Sequence, residues 1–316
     1  MITVSEVGPR DGVQSLDFLV DLEIKKQWIA SEAAAGVPEI EVGSFVSFKR
    51  LPQMQDTPAL VEFALTIPGL KVAALVPNLQ GAKAAVAAGV HKLSIPVSAS
   101  ETHSLRNVNR THEQMIEEVK QIRALVDDQP SETRANIEIG IATAFGCTID
   151  GNVPQKTVVE LAERLMIAGA DEIGLSDTTG YADPKMVKDH LKAVQKAIGP
   201  ANVTGVHLHN TRGLGLANAL AALDCGITTI DASLGGLGGC PFAPGASGNI
   251  VTEDLVFMLH SMGYETGINL PELIEVRKKL AEQISGSSIY GFIADAGLPL
   301  GFSQSSHTIN GDEAHS

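Results

Sequence analysis

His207-Leu208-His209 closes an apolar run at 202–208 that reads as a β-strand. Side chains alternate across a strand, so residues two apart point the same way. Two neutral imidazoles held in that relation suit a borderline divalent ion. A second segment, Gly8-Pro9-Arg10-Asp11-Gly12, follows the first strand-like run at 2–7. Proline and two glycines make a tight turn that presents a cation and a carboxylate together. Asp11 is the expected carboxylate of a His₂-carboxylate metal site, and Arg10 a stabiliser of developing negative charge. The competing readings are a hydrogen-bonded pair of imidazoles inside the fold and a surface salt bridge. The strand-end position and the rigid glycine–proline frame favour the metal site of Asp11, His207 and His209.

Other residues lie where they could join that site. Glu41, in Ile40-Glu41-Val42, is read at the end of the second strand, as a further ligand, an acceptor behind a ligand or a base; a buried ion pair explains it as well. Residues 235–249 form a loop rich in glycine and proline, which either cradles a phosphate or closes over the site. Its Cys240 is a candidate general acid or base, its thiol acidified by nearby positive charge. Asn249 is either the N-cap of the next helix or a neutral oxygen ligand to the metal. Asp177, in Ser176-Asp177-Thr178-Thr179-Gly180 after the sixth strand, is either a catalytic carboxylate or a helix cap, and Asn78 reads in the same way.

These residues need a scaffold that brings several strand ends together. Strand-like runs fall at 2–7, 38–42, 70–76, 91–96, 135–142, 171–175, 202–208 and 227–231. Helical periodicity fills the intervals, at 22–35, 57–66, 79–88, 111–127, 155–168, 183–197, 213–224 and 251–261. Three of these helices run into a glycine, Gly36, Gly89 or Gly169, suited to a left-handed cap. Eight βα units predict a parallel sheet covered by helices. No glycine-rich dinucleotide loop follows the first strand, which favours a (β/α)₈ TIM barrel over an open doubly wound sheet. In such a barrel the loops after the strands meet at one face, where active sites lie. A short extra helical segment is expected at 270–284, a single catalytic domain over 1–300, and a disordered tail over 301–316.

Composition excludes several classes of function. The net charge is −14 and only 4% of residues are aromatic, which argues against nucleic-acid binding by either phosphate attraction or base stacking. Three scattered cysteines, Cys147, Cys225 and Cys240, make neither a disulfide framework nor a zinc knuckle and imply a reducing compartment. No leader-like segment opens the chain and no apolar stretch nears the ~20 residues of a membrane helix, so a soluble cytoplasmic protein is expected.

Taken together, the motifs resemble the hydroxymethylglutaryl-CoA lyase family. The resemblance runs from about Val4 to Ile268 and rests on Glu6-Val7-Gly8-Pro9-Arg10-Asp11-Gly12, Ser44-Phe45-Val46-Ser47 with Pro52-Gln53-Met54, Pro77-Asn78-Leu79, Ala85-Val86-Ala87-Ala88-Gly89, Asp177-Thr178 and residues 235–249. The Gly-Gly-Cys-Pro loop is the specific element; the Arg-Asp-Gly turn and His-x-His pair are shared with a superfamily that includes isopropylmalate, homocitrate and citramalate synthases. The resemblance implies Mg²⁺ or Mn²⁺ at Asp11, His207 and His209, with Asn249 and Glu41 also at the metal. It implies cleavage of a 3-hydroxy-3-methylglutaryl thioester of CoA to acetyl-CoA and a 3-oxo acid, Arg10 carrying the enolate charge and Cys240 delivering a proton. A homodimer or higher homo-oligomer is expected by the same analogy.

Two segments depart from the family pattern, and a third, read as a loop from Ser100 through Asn109, departs in part. His209-Asn210-Thr211-Arg212-Gly213 stands where His-Asp-Thr-Tyr-Gly is common, and Val13-Gln14-Ser15-Leu16-Asp17 replaces an Asn-Glu-Lys run. Both are expected beside the substrate, so they bear on the identity of the acyl group. The alternative functions are a condensing synthase joining acetyl-CoA to a 2-oxo acid, disfavoured by the short segment after the barrel, and a barrel that only binds CoA or metal.

Overall fold

In the computed structural model, which describes residues 1–238, 248–284 and 289–302, eight parallel strands close into a barrel in chain order, β1 pairing with both β2 and β8. The strands are β1 (Thr3–Glu6), β2 (Glu39–Ser44), β3 (Lys71–Leu75), β4 (Lys92–Ser98), β5 (Asn136–Ala142), β6 (Glu172–Asp177), β7 (Val203–Leu208) and β8 (Thr229–Ala232). The helices are α1 (Leu22–Ala34), α2 (Thr57–Ala64), α3 (Leu79–Ala88), α4 (Glu101–Val108), α5 (His112–Asp127), α6 (Gln155–Ala168), α7 (Pro184–Ile198), α8 (Gly215–Leu223), α9 (Thr252–Ser261), α10 (Leu270–Gln283) and α11 (Ile293–Ala296). The expected TIM barrel is therefore present. The extra C-terminal helix is α10, with the short α11 after it. Gly36, Gly89 and Gly169 all take positive φ (94°, 83° and 110°) where α1, α3 and α6 end, a conformation that costs a residue with a Cβ. No helix of the described residues is long and apolar enough to cross a membrane.

The strands divide their two faces by chemistry. In β5, Ile137, Ile139 and Ile141 are buried against the helices, while the alternating Glu138, Gly140 and Ala142 line a central cavity. Lys92 of β4 is buried inside the barrel, bonded to Glu39 and held 2.6 Å from Glu138. A buried charge persists only when paired and hydrogen-bonded. The lumen is thus polar, and it stays open above these ion pairs.

Several boundaries differ from the sequence expectation. Residues 100–109 contain a helix, α4, capped by Ser100, whose Oγ accepts from His103 N at 3.0 Å; its polar run hides an eight-residue helix. β2 continues to Ser44 and β6 to Asp177, so Glu41 lies in mid-strand rather than at a strand end, and Asp177 is a strand residue rather than a loop residue. The tail beyond 302 lies outside the described residues.

Candidate active site

Val7, the residue after β1, begins a single wide turn, Gly8–Gly12, in which the Val7 carbonyl accepts from Arg10 N at 3.1 Å and Asp11 N at 2.6 Å. This curls the chain inward and points Arg10 and Asp11 into the barrel mouth, where each is only 9% exposed. Opposite them, His207 occupies β7, and His209 lies one residue beyond it in an isolated bridge with Asn249. One ligand atom from each of Asp11, His207 and His209 lies within 4.8 Å of the other two. The two Nε2 atoms face each other at 3.1 Å. Nδ1 of His207 is 3.1 Å from Asp231 Oδ2, which places its proton on Nδ1 and leaves Nε2 with a free lone pair.

The donor set fits a divalent cation. Asn249 donates through Nδ2 to Asp11 at 2.8 Å and to the Leu237 carbonyl at 3.0 Å. Its Oδ1 is buried with no hydrogen-bond partner among the described residues, an oxygen donor left open beside Asp11. Because α9 is capped by Val251, the alternative reading of Asn249 as a helix cap does not hold. Gly238 packs against this arrangement with φ 110°; a Cβ there would lie 2.6 Å from Asn249 Nδ2 and 3.0 Å from Asp11 Oδ2. Only glycine lets the loop approach this closely.

Charge follows from these contacts. Burial alone would raise the Asp11 carboxyl, but Arg10 and then the two imidazoles outweigh it and bring it to about 2. Burial, with His207 beside it, lowers His209 to about 4, so it is the neutral imidazole a metal requires. Burial would lower His207 too, but Asp231 reverses the sign and raises it. Arg10 donates to both Glu41 and Asp11, and these carboxylates outweigh its burial and strengthen its hold on its proton. Glu41 is raised by burial despite Arg10.

A cavity of about 380 Å³ opens beneath the site, lined by Arg10, Asp11, Glu41, His207 and His209 together with Gln14, Asp231 and Glu138. Five residues singled out in the sequence thus meet on one cavity, and Asn249 reaches it through Asp11. Cys240 lies outside the described residues. Asp177 takes a different post. Strand alternation puts its neighbour Ser176 on the cavity and turns Asp177 away, where its carboxylate accepts from Tyr181 N at 2.8 Å and Ala182 N at 3.2 Å. It holds the turn after β6, and burial pushes it up to about 6. Asn210 and Arg212 also miss the cavity. Asn210 accepts from Gly215 N at 3.0 Å, and Arg212 donates to the Thr179 and Gly180 carbonyls while its guanidinium sits 4.7 Å from the Tyr181 ring centre. Asn78 caps α3, accepting from Gly81 N at 2.9 Å. Of the departures from the family pattern, Gln14 and Ser15 do line the cavity, Gln14 donating to Asp11 at 2.8 Å. Asp231 and Glu138 are functional candidates that only the structure reveals; the signal in sequence was the polar residue alternating with isoleucine in β5 and β8.

Residues 1–280 match the family model described as HMGL-like. The chain belongs to the HMGL-like family. It is 38% identical over 283 residues to the hydroxymethylglutaryl-CoA lyase YngG of Bacillus subtilis, covering 90% of this chain and 93% of that one. It is 40% identical over 274 residues to the mitochondrial hydroxymethylglutaryl-CoA lyase of Mus musculus, covering 87% and 83%. Among solved structures, an HMG-CoA lyase of Acinetobacter baumannii in complex with coenzyme A and 3-methylmalate superposes with a TM-score of 0.88 at 38% identity, over 96% of this chain and 97% of that one. Membership of the HMGL-like family places the cluster of Asp11, His207 and His209 in a divalent-metal lineage.

Proposed function

We propose that this protein is a carbon–carbon lyase that cleaves 3-hydroxy-3-methylglutaryl-CoA, or a close 3-hydroxyacyl-CoA, to acetyl-CoA and a 3-oxo acid such as acetoacetate. The observation that carries the reading is the convergence of Asp11, His207 and His209 with the Arg10 guanidinium on a single cavity. Asp11, His207 and His209, with Asn249 Oδ1 as a further oxygen donor, would hold Mg²⁺ or Mn²⁺, which when bound would supply the Lewis acidity that eases loss of the substrate's 3-hydroxyl proton.

The chain's own residues then divide the work. Transfer of the 3-hydroxyl proton to a cavity-lining carboxylate, with Glu41 the base candidate, lets the C2–C3 bond break, its electron pair passing to C2 to give a thioester enolate. Arg10, fixed between Glu41 and Asp11, is a preoriented positive charge for that oxygen. Glu41 and Asp11 together hold the guanidinium in place through separate nitrogens. Cys240, on the loop whose ends at Gly238 and Gly248 meet over Asn249, is the proposed acid that protonates C2. Asp231 fixes the tautomer of His207. The acyl-CoA enters from the barrel mouth.

The test is a coupled assay of acetyl-CoA release, run on chelator-treated protein to which Mg²⁺ or Mn²⁺ is returned, with the thiol kept reduced. Metal-dependent release from hydroxymethylglutaryl-CoA or a close analogue is expected. No cleavage across a panel of such thioesters would sink the reading, and thiol release from acetyl-CoA with 2-oxo acids would turn it towards the condensing branch.

A further inference from the structure

Below the metal site the barrel wall has a row of missing side chains. Gly140 of β5, Gly174 of β6 and Gly205 of β7 are register partners, Gly140 with Gly174 and Gly174 with Gly205, and all three line the cavity. Barrels of this kind fill the lumen with layers of bulky side chains, and glycine in mid-strand weakens a sheet. Nothing in the backbone demands it here, since none of the three has positive φ. A Cβ would also fit: it would lie 3.5 Å from Ser176 Oγ at Gly140, and 3.4 Å from Glu138 Oε1 at either Gly174 or Gly205. The row therefore serves the space it leaves open.

Glu138 forms the floor of that space. Lys92 holds its Oε2 at 2.6 Å, while Oε1 lies under the glycine row. Gly205 is two residues before His207, so the row lies about 6.6 Å down the strand from the metal ligands. A branch from the reacting carbon would need about four heavy atoms to reach the floor at ~1.5 Å per bond. The floor also sets the chemistry of its tip. A cation would have to compete for Glu138 with the buried Lys92 already paired to it at 2.6 Å, and an anion would meet Glu138 and Asp231. A hydrocarbon tip would strip water from the Glu138 carboxyl without replacing its hydrogen bonds. A neutral hydrogen-bonding tip satisfies all three conditions.

We infer that the glycine row Gly140–Gly174–Gly205 over Glu138 is a specificity subsite, shaping the lyase for substrates whose 3-methyl is replaced by a branch of about four heavy atoms ending in a hydroxyl. The inference rests on the lyase reading and deepens it. It is tested with three thioesters of CoA that differ at C3 of the 3-hydroxyglutaryl group: methyl, n-butyl and 3-hydroxypropyl. The wild type is expected to favour 3-hydroxypropyl over both others by at least tenfold in kcat/KM. Gly140→Val is expected to move the 3-hydroxypropyl to methyl ratio by at least tenfold towards methyl, mainly through KM for the longer substrate. Should that variant not fold, the double variant Gly140→Ala with Gly174→Ala, whose methyls the wall accommodates, is expected to move the ratio in the same direction. Cleavage of the methyl thioester in preference to both longer ones would overturn the subsite and leave the lyase standing. An equal loss on all three substrates in the glycine variants would also overturn it. Cleavage of none would remove both the subsite and the lyase reading.

Discussion

Asp231 takes no part in bond breaking in the proposed reaction, yet the order of the site depends on it. Its Oδ2 fixes Nδ1 of His207 at 3.1 Å, so that Nε2 faces the metal position with its lone pair. Asp231→Asn keeps the size and loses the charge; removing such a partner typically costs about 10–100-fold in metal affinity or activity. Titration of the chelator-treated variant with Mn²⁺ should show that weakening, and unchanged affinity would remove Asp231 from the site. Arg10 belongs to the same scale. Arg10→Gln deletes the charge that meets the enolate, and loss of one donor of this kind costs about 10²–10³ in rate. A fall of that size in kcat, with the circular dichroism spectrum retained, is the expected result; kcat within a few-fold of wild type would strip Arg10 of its role. Asp11, His207 and His209 were legible in sequence because two short motifs carry them and strand alternation orients them. Asp231 was not, because its meaning depends on the residue across the β7–β8 ladder, 24 positions away, and no local pattern reports that pairing.

Elements decide which polar residues meet the cavity. The βα alternation made all eight strands and the barrel readable, since parallel pairing forces a covering helix between each pair of strands. Strand lengths were not readable to the residue, and in β6 that error matters. Two more residues of strand turn Asp177 from a loop group into one facing away from the lumen beside Ser176. α4 was hidden for a related reason: Glu101–Val108 has a strongly polar sequence, and tertiary contact over the cavity, through His103 and Asn107, does what apolar periodicity does in longer helices. The geometry makes Asp177 a positioning residue for the turn after β6. Asp177→Ala leaves the Tyr181 and Ala182 amides without their acceptor, which costs about 1–3 kcal/mol. Urea denaturation should show that loss, while KM and the residual kcat of the folded fraction fall less than tenfold. A variant of undiminished stability whose kcat collapses would return Asp177 to the chemistry.

At the scale of the whole molecule, the metal turn is tied to the rest of the barrel through buried carboxyls. Glu6 of β1 accepts from Gly8 N at 2.8 Å, Leu234 N at 2.9 Å and Thr252 Oγ1 at 2.6 Å, joining the Arg10–Asp11 turn to the base of the glycine-rich loop and to α9. Glu253 accepts from Gly235 N at 3.1 Å, and Glu32 of α1 is wholly buried beside them. Burial pushes Glu6 up to about 7 and Glu253 to about 8. For Glu32, burial and then the charge of Glu6 hold the carboxyl well above its usual range. A carboxyl raised in the folded state binds its proton more tightly folded than unfolded. Its contribution is then complete below the unfolded value near 4.5 and is lost as pH rises towards the folded value. The protein should therefore lose stability between pH 4.5 and 8, the range spanned by these carboxyls. Glu32→Gln removes one of the acids while keeping its shape and adding a donor that can face Glu6. Relative to wild type, the variant should gain stability steadily across that range, by about 1–3 kcal/mol at its upper end, read as the difference in urea midpoints at each pH. Terms common to both proteins, the metal site included, cancel in that difference. A gap that stays constant with pH, or narrows as pH rises, would mean that Glu32 is already ionised in the folded protein and that the cluster is held by other means.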